Sequence, residues 1–167
     1  MVKNSILDGG SREAVQHQRM STYTQILYQI IFGTKNRERT LSANNRDELF
    51  KYISGIILNK KCHLYQINGV EDHVHILTHL HPSVALADLV KDIKLASTQY
   101  IKEKNLFVNF KGWQEGYGAF TYATDRKAVL INYVLNQVEH HQVKTFREEY
   151  VDLLLEHGVE FDEKYLL

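Results

Sequence analysis

The chain is poor in the residues that staple or break a fold. It has one cysteine, Cys62, and one proline, Pro82, among 167 residues. A single cysteine excludes an internal disulfide framework and fits a reducing cytoplasm. No apolar run approaches the ~18 residues that a membrane helix needs. The N-terminal stretch lacks the apolar core of a signal peptide, so a cytoplasmic protein with no membrane partner is expected. There is no charge of one sign: 20 basic residues face 20 acidic ones, which removes any global footprint for nucleic acid. The balance is uneven along the chain, however. Residues 151–167 hold five acids and one lysine, which leaves residues 1–150 with a net charge of +4. A mildly basic body permits a phosphate-bearing partner without implying one.

What is present is the make-up of an ordinary globular domain, with 44% hydrophobic and 24% charged residues. The length suits one domain with its own core. Ten tyrosines and nine histidines stand out. Both types serve in stacking and ligation, and both are also common on half-buried sheet faces.

Residues 1–19 are polar and without period, and a disordered extension is expected there. The domain is expected over residues 20–150 and an acidic tail over 151–167. Residues 23–33, rich in Ile and Tyr, read as a first strand. A charged loop, Lys35 to Arg39, precedes a helix over about 45–60, whose Leu49, Phe50, Ile53, Ile56 and Ile57 fall at helical spacing. Residues 62–70 and 73–79 read as two strands joined by a turn near Asn68-Gly69. Pro82 and Ser83 lead into a second helix over 84–104. Residues 107–120 form a glycine- and aromatic-rich loop, with a fourth strand over 119–122. Thr124 is a candidate cap for a third helix to about 141, and 145–157 read as a short last helix. The first six elements give the β-α-β-β-α-β order of an α+β, ferredoxin-like (RRM-like) antiparallel sheet with helices on one face. In that layout the third strand is central and its other face is an open platform.

The chemistry centres on His73-Val74-His75. Strand side chains alternate, so the two imidazoles share a face and Val74 takes the other. They are half of a divalent-metal site, or two histidines hydrogen-bonded on a half-buried strand. On the third helix Tyr133 and Gln137 are i, i+4 neighbours, with His140 on the same arc. Gln137 can offer a carbonyl oxygen to a metal and Tyr133 a phenol to the same place, or the two simply bond each other. The loop from Gly112 to Phe120 lets backbone approach a ligand, and Trp113 and Tyr117 can stack bases or anchor the loop on the core. Lys35 and Arg37 in the first loop, and Lys91 and Lys94 on the second helix, can contact phosphates or sit on a solvated face.

Taken in order, these motifs resemble the single-tyrosine transposases of the insertion-sequence 200/605 group, which carry a histidine-hydrophobic-histidine (HUH) motif. The matching residues are Tyr23 to Phe32, Thr34-Lys35-Asn36-Arg37, Asp72-His73-Val74-His75-Ile76-Leu77, Gln114 to Phe120, Tyr133, Asn136-Gln137 and His140-His141. The resemblance spans residues 21–150. Glu71 stands where the family usually has proline. The resemblance implies a ferredoxin-like fold with an extra C-terminal, tyrosine-bearing helix. It implies His73, His75 and Gln137 as ligands of Mg²⁺ or Mn²⁺, and Tyr133 as the nucleophile. It implies single-stranded DNA hairpins at element ends as substrate, a 5′-phosphotyrosine intermediate, and a homodimer whose sites are often shared between subunits. Two other readings are a replication-initiator or relaxase-type nickase with the same motif, and a single-stranded nucleic-acid-binding module. A histidine-triad nucleotide hydrolase is disfavoured because Leu77 occupies its third alternating position.

Overall fold

The computed structural model describes residues 22–162, 164 and 166; the extension expected over residues 1–19 lies outside them. The elements run β1 (Leu27–Gly33), α1 (Ala43–Asn59), β2 (His63–Gly69), β3 (His73–His79), α2 (Leu86–Lys104), β4 (Gly118–Tyr122), α3 (Lys127–Leu135), α4 (Gln137–His140) and α5 (Phe146–Glu156). The four strands form one antiparallel sheet in the order β2-β3-β1-β4. The β-α-β-β-α-β order and the central place of the histidine strand are as expected. β1 is shorter than the 23–33 reading. Its first four expected residues lie outside the ladder, and Tyr23 is 90% exposed.

Local chemistry explains the ends. Asn105, in the left-handed region at φ 49°, closes α2, a conformation that asparagine tolerates better than most residues. α5 begins at a capping box, in which the Thr145 hydroxyl accepts from the Glu148 N–H and the Glu148 side chain accepts from the Thr145 N–H. The third helix, expected to be continuous to 141, breaks at Asn136, whose φ of −96° and ψ of 25° leave the α region. Gln137 therefore opens its own short turn.

Strand alternation divides the core in two. Ile30, Phe32, Val74 and Ile76 point to one face, where they pack with Leu49, Ile53 and Ile57 of α1 and Leu89 and Ile93 of α2. The opposite face does not stand open as a platform. Ile31 and Phe120 are covered by Phe146, Tyr150, Leu153 and Leu154 of α5. Leu27 and Leu77 are covered by Leu130 and Val134 of α3. The boundary expected at residue 150 falls inside α5, and the first residues of the expected acidic tail, up to Glu156, complete that helix. The apolar stripe of α5 makes this favourable, because burying a Leu side chain stabilises by about 1.5–3 kcal/mol.

Gly118 lets α5 approach. A Cβ there would lie 2.6 Å from Tyr150 Cε2. Gly118→Ala should therefore push α5 off the sheet while the α1/α2 core stays intact. Hydrogen exchange should show lost protection in α5 and unchanged protection in β3. Ile93→Ala, in contrast, should lower global stability by about 2–5 kcal/mol in urea unfolding.

Candidate active site

The register of β1 on β3 sets Ile31 opposite His75 and Gly33 opposite His73. Both histidines face the side roofed by α3–α5, and both are fully buried. Their rings lie 5.0 Å apart. His73 Nδ1 is 2.7 Å from Asp72 Oδ1, and this contact fixes the tautomer that leaves Nε2 for a ligand. Burial dominates the His73 pKa and pulls it down to about 4, against the raising effect of Asp72. His75 Nδ1 is 3.3 Å from the Gln29 amide nitrogen, and the Gln29 oxygen accepts from the Tyr122 hydroxyl at 2.9 Å. A half-turn of that amide lets it accept from His75 Nδ1–H instead and donate to Tyr122, which frees Nε2.

The helix pieces bring Tyr133 and Gln137 to the same place within one chain. The Tyr133 ring is 6.2 Å from that of His75. The Tyr133 hydroxyl donates to Glu149 Oε1 in a short hydrogen bond. Gln137 is fully buried, and its Nε2 donates to Glu149 Oε1 at 3.2 Å and to the Tyr133 carbonyl at 3.4 Å. Burial first, and then the Glu149 charge and hydrogen bond, push the Tyr133 phenol far above its ordinary value. Burial alone would raise the Glu149 carboxyl. The charge of His75, the close contact with His141 and the hydrogen bond from Tyr133 instead hold it well below the usual carboxylate range.

His140 lies beside Tyr133, with rings 5.3 Å apart, and its Nε2 is 3.7 Å from Glu149 Oε1. Four buried polar atoms here have no hydrogen-bond partner among the described residues: His75 Nε2, Gln137 Oε1, His140 Nε2 and Glu149 Oε2. Orphaned buried polar atoms are costly, and His75 Nε2 and Glu149 Oε2, 3.4 Å apart, are donors a divalent ion accepts. The site therefore fits a divalent metal.

The residues expected to touch DNA are scattered. Lys35 is exposed in the loop after β1, with its N–H on the Gly112 carbonyl at 2.8 Å. Arg37 and Arg39 line a groove of about 540 Å³ beside Asp72 and His141, and Arg37 stands 5.2 Å over the Phe146 ring. Lys91, Lys94 and Tyr117 belong to the α1/α2 side, behind the sheet. Lys91 pairs with Asp88 at 2.8 Å. Lys94 donates to the carbonyls of Gln114, Glu115 and Gly116 at 2.9, 3.2 and 2.7 Å. Burial brings its ammonium down to about 8. Tyr117 packs against the core. Trp113 is only 9% exposed, and its Nε1–H donates to Ser97 Oγ at 2.9 Å. That indole is a core anchor, edge-on to Phe32 at 4.9 Å, and is not free to stack a base.

Glu149 and the place of His141 beside the histidine pair were not foreseen from the sequence. The signal for Glu149 was available: it lies on the buried stripe Phe146, Tyr150, Leu153, Leu154 of α5, where a glutamate is out of character.

A family profile described as "Transposase IS200 like" matches residues 22–137. The ISDra2 transposase TnpA of Deinococcus radiodurans is 27% identical over 120 residues, which are 68% of this chain and 84% of that protein. Two solved structures share the fold. A protein of Deinococcus radiodurans R1 assigned as a transposase is 24% identical with a TM-score of 0.53, covering 70% of this chain and 95% of its own. A REP-associated tyrosine transposase bound to a REP hairpin is 16% identical with a TM-score of 0.54, covering 72% and 74%. His141 and Glu149 lie beyond the family match.

The depressed pKa of His73 gives the metal-free protein a pH dependence. Between the ordinary value of 6.5 and about 4, the unfolded chain binds a proton that the folded chain excludes. Stability is thus full above that window and is lost as pH falls through it. The low-lying Glu149 carboxyl acts in the same direction at still lower pH. Urea midpoints should drop from pH 7 to pH 5 without metal, and less steeply in His73→Gln.

Proposed function

The chain belongs to the IS200-like transposase family, and from that membership we propose that it cleaves and rejoins single-stranded DNA with Tyr133 as nucleophile at a divalent-metal site of His73, His75 and Gln137. The observation that carries this reading is the meeting of a tyrosine hydroxyl and two buried imidazoles in one chain of a transposase family. Mg²⁺ or Mn²⁺ would be held by His73 Nε2, His75 Nε2 and Gln137 Oε1 and would supply Lewis acidity toward a phosphoryl oxygen.

The protein's own groups do the rest. Tyr133 Oη forms the new bond to phosphorus as the 3′-oxygen departs to a free hydroxyl, which leaves a 5′-phosphotyrosine. A 3′-hydroxyl then attacks that phosphotyrosine, releases the phenol and rejoins the strand. No ATP is needed, because the covalent link retains the phosphodiester's bond energy. The neutral, half-buried phenol must lose its proton on attack, so its bond to Glu149 has to yield or carry that proton. Arg37 and Arg39 beside the site support a phosphate-bearing strand in the adjoining groove. The hairpin bound by the REP-associated relative supports hairpin DNA at element ends as substrate. No helix among the described residues is long and apolar enough to cross a membrane, which is compatible with action where the cell's DNA lies, in the cytoplasm.

A homodimer, implied by the resemblance, would hold two DNA ends together; it is not required to bring Tyr133 to the histidines. Two assays test this account. Tyr133→Phe should bind hairpin-bearing single-stranded DNA yet form no covalent adduct, and chelation of metal should abolish cleavage by the unaltered protein. An adduct of undiminished yield in Tyr133→Phe sinks the assignment. Rejoining as well as nicking separates a transposase from a nickase, and an absence of cleavage with added Mn²⁺ would leave only a binding module. Mixing Tyr133→Phe with His73→Ala protein should restore no activity, because in this reading each site is built from one chain. Recovery of activity would show sites shared between subunits.

A further inference from the structure

The metal site has more donors than the family reading assigns. His73 Nε2 and His141 Nε2 are 3.0 Å apart. Glu149 Oε2 lies 3.0 Å from His141 Nε2, 3.4 Å from His75 Nε2 and 3.8 Å from His73 Nε2. One ligand atom from each of these four residues falls within 4.8 Å of all the others. Four donors on bonds of about 2.1 Å to one ion stand about 3.0–3.4 Å from each other along a polyhedron edge. The observed separations are near that spacing.

The protonation pattern agrees. His141 Nδ1 is 2.9 Å from the Lys144 carbonyl, which can only accept, so Nδ1 carries a proton and Nε2, the atom turned toward Glu149 and His73, is the one free to exchange its proton for a metal ion. Two imidazole nitrogens at 3.0 Å need a proton or a metal ion between them, because two facing lone pairs repel. Glu149 Oε2 is buried with no hydrogen-bond partner among the described residues, and the residue is 1% exposed. A carboxylate taken out of water costs several kcal/mol unless a cation or a full set of donors compensates. The fold holds these groups firmly. The capping box at Thr145 fixes the start of α5, and Phe146 stacks on the His73 ring at 4.1 Å.

We propose that His141 and Glu149 ligate the same divalent ion as His73 and His75, so that α5 and the turn before it complete a three-imidazole, one-carboxylate centre. The proposal rests on reading His73 and His75 as ligands. Gln137 keeps its carbonyl oxygen for the ion and its amide N–H on Glu149 Oε1. Such a set favours a first-row transition ion over Mg²⁺, because three imidazoles suit softer ions and Mg²⁺ prefers oxygen and water. Glu149 then ties the centre to the nucleophile, because its other oxygen accepts the Tyr133 hydroxyl.

The direct test uses full-length, metal-stripped protein loaded with Mn²⁺ alone. With ring-¹⁵N-labelled histidine, pulsed electron paramagnetic resonance should count three imidazole nitrogens on the ion. Two would overturn the proposal, and this count does not depend on any variant folding. By calorimetry, Glu149→Gln and His141→Ala should each weaken Mn²⁺ binding by about tenfold or more, with circular dichroism checking that they fold. Mn²⁺ should also bind at least tenfold more tightly than Mg²⁺. Wild-type affinity in both variants overturns the proposal while leaving the histidine pair standing. Wild-type affinity in His73→Ala and His75→Ala as well would instead sink the metal reading on which the proposal rests.

Discussion

Glu149 is a carboxylate buried to 1% exposure between a sheet and two helices, and the second face of the sheet is organised around stabilising that charge. Burial alone would drive the group neutral; the surrounding imidazoles and the Tyr133 hydroxyl keep it ionised. One oxygen faces His73, His75 and His141, and the other meets Tyr133 and Gln137. This carboxylate joins three elements at one polar centre: β3, the α3–α4 segment and α5. The apolar contacts of α5 with Ile31 and Phe120 hold the helix in place, but the polar centre determines what it is held against.

The sheet was legible because its pattern is local and strong. Alternation in His73 to His79 and the helical spacing of Leu49, Ile53 and Ile57 each follow from one element's own period, and the β-α-β-β-α-β order follows from their sequence. The break at Asn136 was not legible. Leu135 and Gln137 on either side are good helix formers. The covered second face was missed as well. Whether a short helix such as α5 swings onto a sheet depends on long-range partners such as Gly118, whose missing side chain admits Tyr150.

In the site, the histidine pair and Tyr133 were visible as a motif order, and the fold brings them together. Glu149 was visible only as an oddity, a charge on an apolar stripe. Its partners are distant in sequence, and no local rule connects them. Lys94 and Trp113 show the opposite failure. Their residue types suit DNA, yet Lys94 is engaged by three loop carbonyls and Trp113 by Ser97. Residue type proposes a role, but accessibility decides whether it can be filled.

The account stands on Tyr133 being the residue that takes up DNA beside the histidines of its own chain. Trapping the covalent species on a single-stranded hairpin substrate and mapping it by peptide mass spectrometry tests this most directly. The nucleotide should be found on the peptide containing Tyr133, linked through a 5′-phosphate. A link on another tyrosine, such as Tyr122 or Tyr150, or a link through the 3′ end, would contradict it.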